Sequence, residues 1–400
     1  MVTLWISIIA LALAVILATL VTIMRKAMRV DRARLRALEH AVAELQSGNG
    51  HASHRKTGPV VVIYNPLRTN DLHDLREIVT QTAGDAGLGE PVWIPTTVED
   101  AGSGQARGAL DLNPSVVIAA GGDGTVRQVA GALAGTGVPL GIMPIGTGNL
   151  LARNLGIPLD SERNMASVAI TGRTRRIDIG WMNAPVMSQE ERTQLTTSVP
   201  DAVPFEGTVP FVVISGIGFD AKVMSDANAR LKRSLGWIAY IFSGLRHLRA
   251  ERLHATIITG GDGAPSTAAS NGGDASNGGD DSGVQTEARS IMFANCGRLP
   301  GGFVVAPEAR VDDGWLDIAV MNTRGGLIGW GDLVRRAGTQ SVGETRGALP
   351  EAGNIKLRRT RQVTVTTSTP EQVEADGDLL GFARHVSAWV EEGALAVRVM

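Results

Sequence analysis

Cysteine, net charge and, at one end, any charge at all are what this chain lacks. Cys296 is the only cysteine in 400 residues, so no intrachain disulfide forms, which fits a reducing compartment. Lys and Arg number 38 against 40 Asp and Glu, a formal net of −2. That balance leaves no electrostatic footprint for a nucleic-acid partner. Residues 260–283 carry no valine, leucine or isoleucine. They read as a disordered insert between two strands, since nothing in them can be buried. The first 24 residues carry no charged side chain.

That uncharged run has the length of a bilayer-spanning helix, about 20 apolar residues. Arg25, Lys26, Arg29, Arg32, Arg34 and Arg36 follow it, against the single acid Asp31. Positive charge after the run predicts a single-pass anchor in the cell membrane with the rest of the chain cytoplasmic. A cleaved signal peptide would carry its charge before the run. The arginines also suit anionic lipid headgroups. Residues 25–58 read as a basic helical stalk and linker. Met28, Leu35 and Val42, with Leu38 and Leu45, fall at heptad positions. They allow a weak homodimer contact, over a stretch too short for a stable coiled coil.

From Pro59 to Gly172 apolar runs alternate with helical patterns. The runs are 59–64, 91–95, 116–120 and 139–143; helices are predicted at 71–83 and 99–110. This alternation predicts an α/β domain with a parallel sheet, whose ligand sits at the C-terminal ends of its strands. From residue 173 to 400 short strands predominate, at 177–180, 210–214, 254–258, 290–294, 316–320, 362–366 and 395–399. They predict a β-rich, sandwich-like second domain, its last strand free to return to the first domain. One helix is expected within it, at 236–249.

Two of the parallel strands empty into glycine loops. Val116–Ala120 runs into Gly121-Gly122-Asp123-Gly124-Thr125, and a helical stretch follows. Pro139–Met143 runs into Pro144-Ile145-Gly146-Thr147-Gly148-Asn149. Such loops let main-chain N–H groups and a helix N-terminus face a nucleotide phosphate chain. Asp123 supplies a carboxylate for a metal and Thr125 a hydroxyl. Elsewhere Gly260-Gly261-Asp262-Gly263 repeats the letters inside the low-complexity tract, where they read as a surface turn.

The segment from Gly121 to Pro158 resembles the catalytic domain of the diacylglycerol kinase and sphingosine kinase family. That family is the lipid kinase branch of the superfamily of NAD kinases and 6-phosphofructokinases. The resemblance covers about residues 59–400. It implies ATP and Mg2+ as cofactors and a membrane lipid as substrate. It implies nucleotide contacts at Gly121, Gly122, Gly124, Thr125, Gly146, Thr147, Gly148 and Asn149. Asn65-Pro66 resembles the start of the family's first phosphate loop, but its usual Ser-Gly is missing from Leu67-Arg68-Thr69-Asn70, where Arg68 would substitute as a cation; a strand-ending turn is the alternative. Glu374-Ala375-Asp376-Gly377-Asp378 resembles the late Asp-Gly-Glu. It implies Asp376 as general base on the lipid hydroxyl, beside Asp123, with Asp378 a shorter acid in place of glutamate. Without the family, Asp376-Gly377 reads as a hairpin turn. Pro307–Asp317 resembles a segment that holds a structural magnesium, here on Asp313 with help from Asp312; a plain tight turn is the alternative. Asp220 falls in a further block near the cleft.

The implied activity is ATP-dependent phosphorylation of a membrane lipid alcohol, diacylglycerol first, with a sphingoid base or another lipid behind it. Two other classes stay open. An NAD kinase shares the Gly-Gly-Asp-Gly-Thr letters but has a different second motif. A catalytically silent, membrane-tethered binding protein would account for the altered 65–70 loop.

Overall fold

The computed structural model describes residues 58–67, 72–218, 252–260, 283–298, 306, 308–322 and 354–400. The predicted anchor and nearly all of the stalk and linker lie outside the described residues. So do Arg68, Asp220, the helix expected at 236–249, and 261–282 of the insert. No helix among the described residues is long and apolar enough to cross a membrane.

The N-terminal half is a parallel sheet of β1 (Val60–Tyr64), β2 (Val92–Pro95), β3 (Val116–Gly121) and β4 (Leu140–Pro144), in the order β2-β1-β3-β4. Helices cover both of its faces. Val61, Ile63, Val117, Ala119, Leu140 and Ile142 pack toward α2 (Ser103–Leu110) and α3 (Asp123–Leu133). Their neighbours Val60, Val62, Val116, Ile118, Ala120 and Met143 pack toward α1 (Leu72–Asp85) and α5 (Glu162–Thr171). A strand buried on both faces needs no polar alternation, so these runs are continuously apolar. Between β4 and α5 lies the short α4 (Leu150–Leu155).

The C-terminal half is antiparallel. It contains β5 (Arg173–Ala184), β6 (Gly207–Phe211), β7 (Ile214–Ile217), β8 (Leu253–Gly260), β9 (Val284–Ala288) and β10 (Ser290–Ala294). After these come β11 (Leu316–Asn322), β12 (Asn354–Thr360), β13 (Gln362–Ala375) and β14 (Asp378–Val399). Phe211, Phe293, Ile291, Val363, Val365 and Val386 lie in its core. β14 is 22 residues long and joins the two halves. Its start pairs with β13, its later part with β5, and near its end Val397 pairs in parallel with Leu140 of β4. One sheet therefore runs through both halves.

The strands β9 and β12 and the length of β14 go beyond the sequence expectation, and two further details depart from it. The run 210–214 is two strands, broken at Val212 and Val213. A helix absent from the prediction, α6 (Gln189–Ser198), follows β5. The Ser188 side chain accepts from Glu191 N, and Glu191 Oε2 accepts the Ser188 N–H.

Candidate active site

β3 ends at Gly121, and α3 begins two residues later at Asp123 with no side-chain cap at Gly122. The first-turn N–H groups and the positive end of the helix dipole are left to an anion. The second glycine loop lies against the first. A Cβ on Gly146 would stand 2.5 Å from Gly122 Cα, so the two backbones touch because residue 146 is glycine.

Asp123 joins the loops. Its Oδ2 accepts the Asn149 N–H at 3.0 Å and its Oδ1 the Leu150 N–H at 2.5 Å. It thereby caps α4. Asn149 sits at the N-cap position in the left-handed region, φ 51°. Its side chain does not cap the helix. It turns back, donating to Pro144 O and Gly146 O and accepting from Gly146 N. Thr125 is buried on α3 and Thr147 is exposed. Asn65 closes a turn onto Leu67 N and donates its own N–H to Ala120 O, which sets β1's end beside the first loop.

Asp376 and Gly377 are the two residues between the paired Ala375 and Asp378, both with positive φ, 48° and 87°. That is a two-residue hairpin of the type Asp-Gly favours. The turn reading therefore describes the backbone, and the hairpin aims the Asp376 side chain inward. Asp376 is 3% exposed. Its Oδ1 accepts from Val213 N and Ile214 N, and its Oδ2 from Val212 N, at 2.8–2.9 Å. These bonds break the 210–214 strand: three amides turn to the carboxylate. An ionised carboxylate offers about four acceptor positions, so about one remains, on Oδ2. Burial raises its pKa, against the three amides and Arg127, which lower it.

Across from the hairpin stands α3. A Cβ on Gly124 would meet Asp378 Oδ2 at 2.7 Å. Arg127, one turn along α3, donates to Asp378 Oδ2 at 2.9 Å. Asp123, Asp376 and Asp378 thus gather at one place, with Glu374 beside them. Burial, with Asp376 and Asp378 adding repulsion, pushes Asp123 up to about 6; the two N–H bonds oppose this. Burial pushes Glu374 up to about 8, and Asp376 and Asp378 push the same way. A place that crowds carboxylates in this manner suits a cation or a proton-transfer step.

Among the described residues no group of three His, Cys, Asp or Glu is arranged as a metal cage. A kinase magnesium is held largely by phosphate oxygens with one or two carboxylates, and Asp123 beside the uncapped helix fits that need. The second predicted metal residue, Asp313, is already paired. Asp313 is ion-paired through Oδ2 with Arg359, and its Oδ1 accepts Trp315 N. Asp312 pairs with Arg175 at 2.5 Å, and Asp317 lies 3.6 Å from Arg359. Arginines thus supply positive charge to the acids of this turn.

Asp178 and Arg127 were missed in the sequence. Buried Asp178 accepts Gly314 N and Gly393 N, both at 2.7 Å, and so holds the Asp313-Gly314 turn. Buried Asn295 donates to Asp178 O and to Val212 O, beside the Asp376 amides. The signal for Asp178 was an acid inside an apolar strand, Ile177-Asp178-Ile179. Arg127 gave no signal, because an arginine in an amphipathic helix is ordinarily solvated.

Comparison with known proteins agrees with this geometry. Residues 59–182 match the diacylglycerol kinase catalytic domain, and residues 212–399 the YegS C-terminal NAD kinase beta sandwich-like domain. A Bacillus subtilis protein named diacylglycerol kinase is 30% identical over 324 residues, 80% of this chain and 90% of that protein. The chain belongs to the diacylglycerol kinase and YegS-like lipid kinase family. A Pseudomonas aeruginosa member named "Probable lipid kinase YegS-like" is 31% identical over 63% of this chain and 70% of its own length. The chain spans about half, 51%, of a longer Synechocystis relative that is 30% identical and named "Uncharacterized protein sll0036". A crystal structure of a Bacillus anthracis diacylglycerol kinase shares the fold, with TM-score 0.60 and 21% identity over 86% of this chain and 97% of that one. This family member carries a kinase catalytic domain, and its two glycine loops and its Asp376 hairpin lie in the two matched halves.

Proposed function

We propose that the protein is an ATP-dependent kinase that phosphorylates the hydroxyl of a membrane lipid alcohol, with diacylglycerol as first substrate. The observation that carries this reading is the meeting of Asp123, at the start of α3, with the Asp376–Asp378 hairpin. One side presents free N–H groups to a phosphate chain and the other a buried carboxylate with about one acceptor position left.

In this reading the nucleotide phosphates lie on Gly121–Thr125 and Gly146–Asn149. Asp123 would hold magnesium, which would supply charge neutralisation for the phosphate chain. The lipid hydroxyl donates to Asp376 Oδ2. As its oxygen bonds to the γ-phosphorus, the proton passes to that carboxylate and the bond to the bridging β,γ oxygen breaks. Burial at Asp376 favours accepting a proton, while the three amides keep the carboxylate aimed. The uncharged run 1–24 and the arginines after it support a tether to the cytoplasmic face, where the lipid is concentrated.

A screen of lipid alcohols with γ-labelled ATP, Mg2+ and mixed micelles tests this, with NAD as control. Label is expected in the lipid phase with diacylglycerol. Label on NAD and none on lipid would replace the reading with that of an NAD kinase.

A further inference from the structure

Arg127 is a buried cation that the glycine-loop motif does not account for. It is 4% exposed, and among the described residues its guanidinium makes one ion pair, to Asp378. Its Nε and Nη1 have no hydrogen-bond partner among the described residues. Asp378 is half exposed on its own side chain. A buried guanidinium is costly unless something requires it there.

The placement says what requires it. Arg127 belongs to the helix that starts the phosphate site, and Asp378 to the hairpin that carries Asp376. They lie 251 residues apart in sequence and in the two family-matched halves. Gly124, on the same helix, leaves the gap that Asp378 Oδ2 fills. Arg127 is also near enough to Asp376 to favour its ionised form.

We propose that Arg127 is a positioning residue: it fixes the Asp376–Asp378 hairpin against the phosphate-binding helix through Asp378, so that base and phosphoryl group are in register. This deepens the kinase reading and rests on it. A small misplacement of reacting groups costs up to about a hundredfold in rate, so the expected effect falls on kcat.

The test is a cycle of Arg127→Met, Asp378→Asn and the double variant, each measured for Tm, Mg·ATP binding and lipid phosphorylation. Methionine fills the space without charge, so the fold is retained. Arg127→Met is expected to lower kcat at least about tenfold, with the Mg·ATP Kd within about threefold. Arg127→Ala should regain part of that rate in millimolar guanidinium. Asp378→Asn should lower Tm by stranding the buried cation, and the double variant should recover it. Unchanged kcat in Arg127→Met, a Kd that rises as steeply as kcat falls, or additive Tm changes would each overturn the proposal. If the wild type transfers phosphate to no lipid, the kinase reading fails on its own, while the Tm cycle still decides whether the pair is coupled.

Discussion

Asp123 Oδ2 accepts the Asn149 N–H at 3.0 Å, and this bond ties the first glycine loop to the second. The same carboxylate caps α4 through Leu150. Asp123 therefore shapes the proposed phosphate site as well as placing charge beside it.

Asp123→Ala is expected to weaken Mg·ATP binding about tenfold or more and to lower Tm, since two buried N–H groups lose their acceptor. Burial pushes the Asp123 carboxyl up to about 6 in the ligand-free protein. In the proposed reading it is the ionised form that would hold the metal, so Mg·ATP affinity should fall as pH drops below about 6. Calorimetric titration from pH 5 to 8 checks this; a flat profile would remove Asp123 from the metal.

Asp376→Asn does not preserve the local structure. The new amide nitrogen must face a main-chain N–H that in the wild type meets a carboxylate oxygen. A stability loss of about 1–3 kcal/mol is expected. Turnover per folded molecule should fall about 10²–10⁴-fold. Chemical denaturation beside a lipid assay separates the two effects, and unaltered turnover in the folded fraction would leave Asp376 with the hairpin alone.

Glu374 gives a pH signature of stability. Its carboxyl titrates near 4.5 when unfolded and near 8 when folded. Between those values the native state holds one more proton, so stability falls as pH rises from about 4.5 to 8. Glu374→Gln should match the wild type near pH 4 and be the more stable protein at pH 8.5. Equal Tm values at pH 8.5 would show that Glu374 ionises freely in the fold.

At the Asp313 turn Arg359 pairs with the predicted metal residue, and we propose that this pair stands in for a cation. EDTA should leave the Tm of the nucleotide-free protein unchanged. Arg359→Ala should cost up to about 1 kcal/mol, the scale of a partly exposed pair. A drop in Tm with EDTA, restored by Mg2+, would reinstate a cation there.

The proposed tether acts by concentrating enzyme on its substrate. A chain starting at Gly58 should phosphorylate detergent-dispersed lipid at the full-length rate and vesicle lipid more slowly. An unrelated anchor fused in place of residues 1–24 should return part of the deficit. Equal rates on vesicles would reduce the segment to an address.

The parallel half could be read from the residues alone. Its strands are buried on both faces, so each is a plain apolar run, and each glycine loop follows its strand within a few residues. Local signals of this kind survive without a partner. The capping box of α6 is equally local, Ser188 three residues before Glu191. The helix after it was still missed, because Leu195 is its one buried side chain and a single apolar residue sets no period. The length of β14 was not legible beyond its last residues, because alternation fades where a strand changes partners from β13 to β5 to β4. The site itself needed tertiary structure. Asp376 could be named by resemblance, but its three amide bonds and the broken strand they cause depend on Val212–Ile214, more than 160 residues earlier. Arg127 and Arg359 show the reason most plainly. A charge's role is set by what lies across from it, and the sequence does not say that Asp378 and Asp313 do.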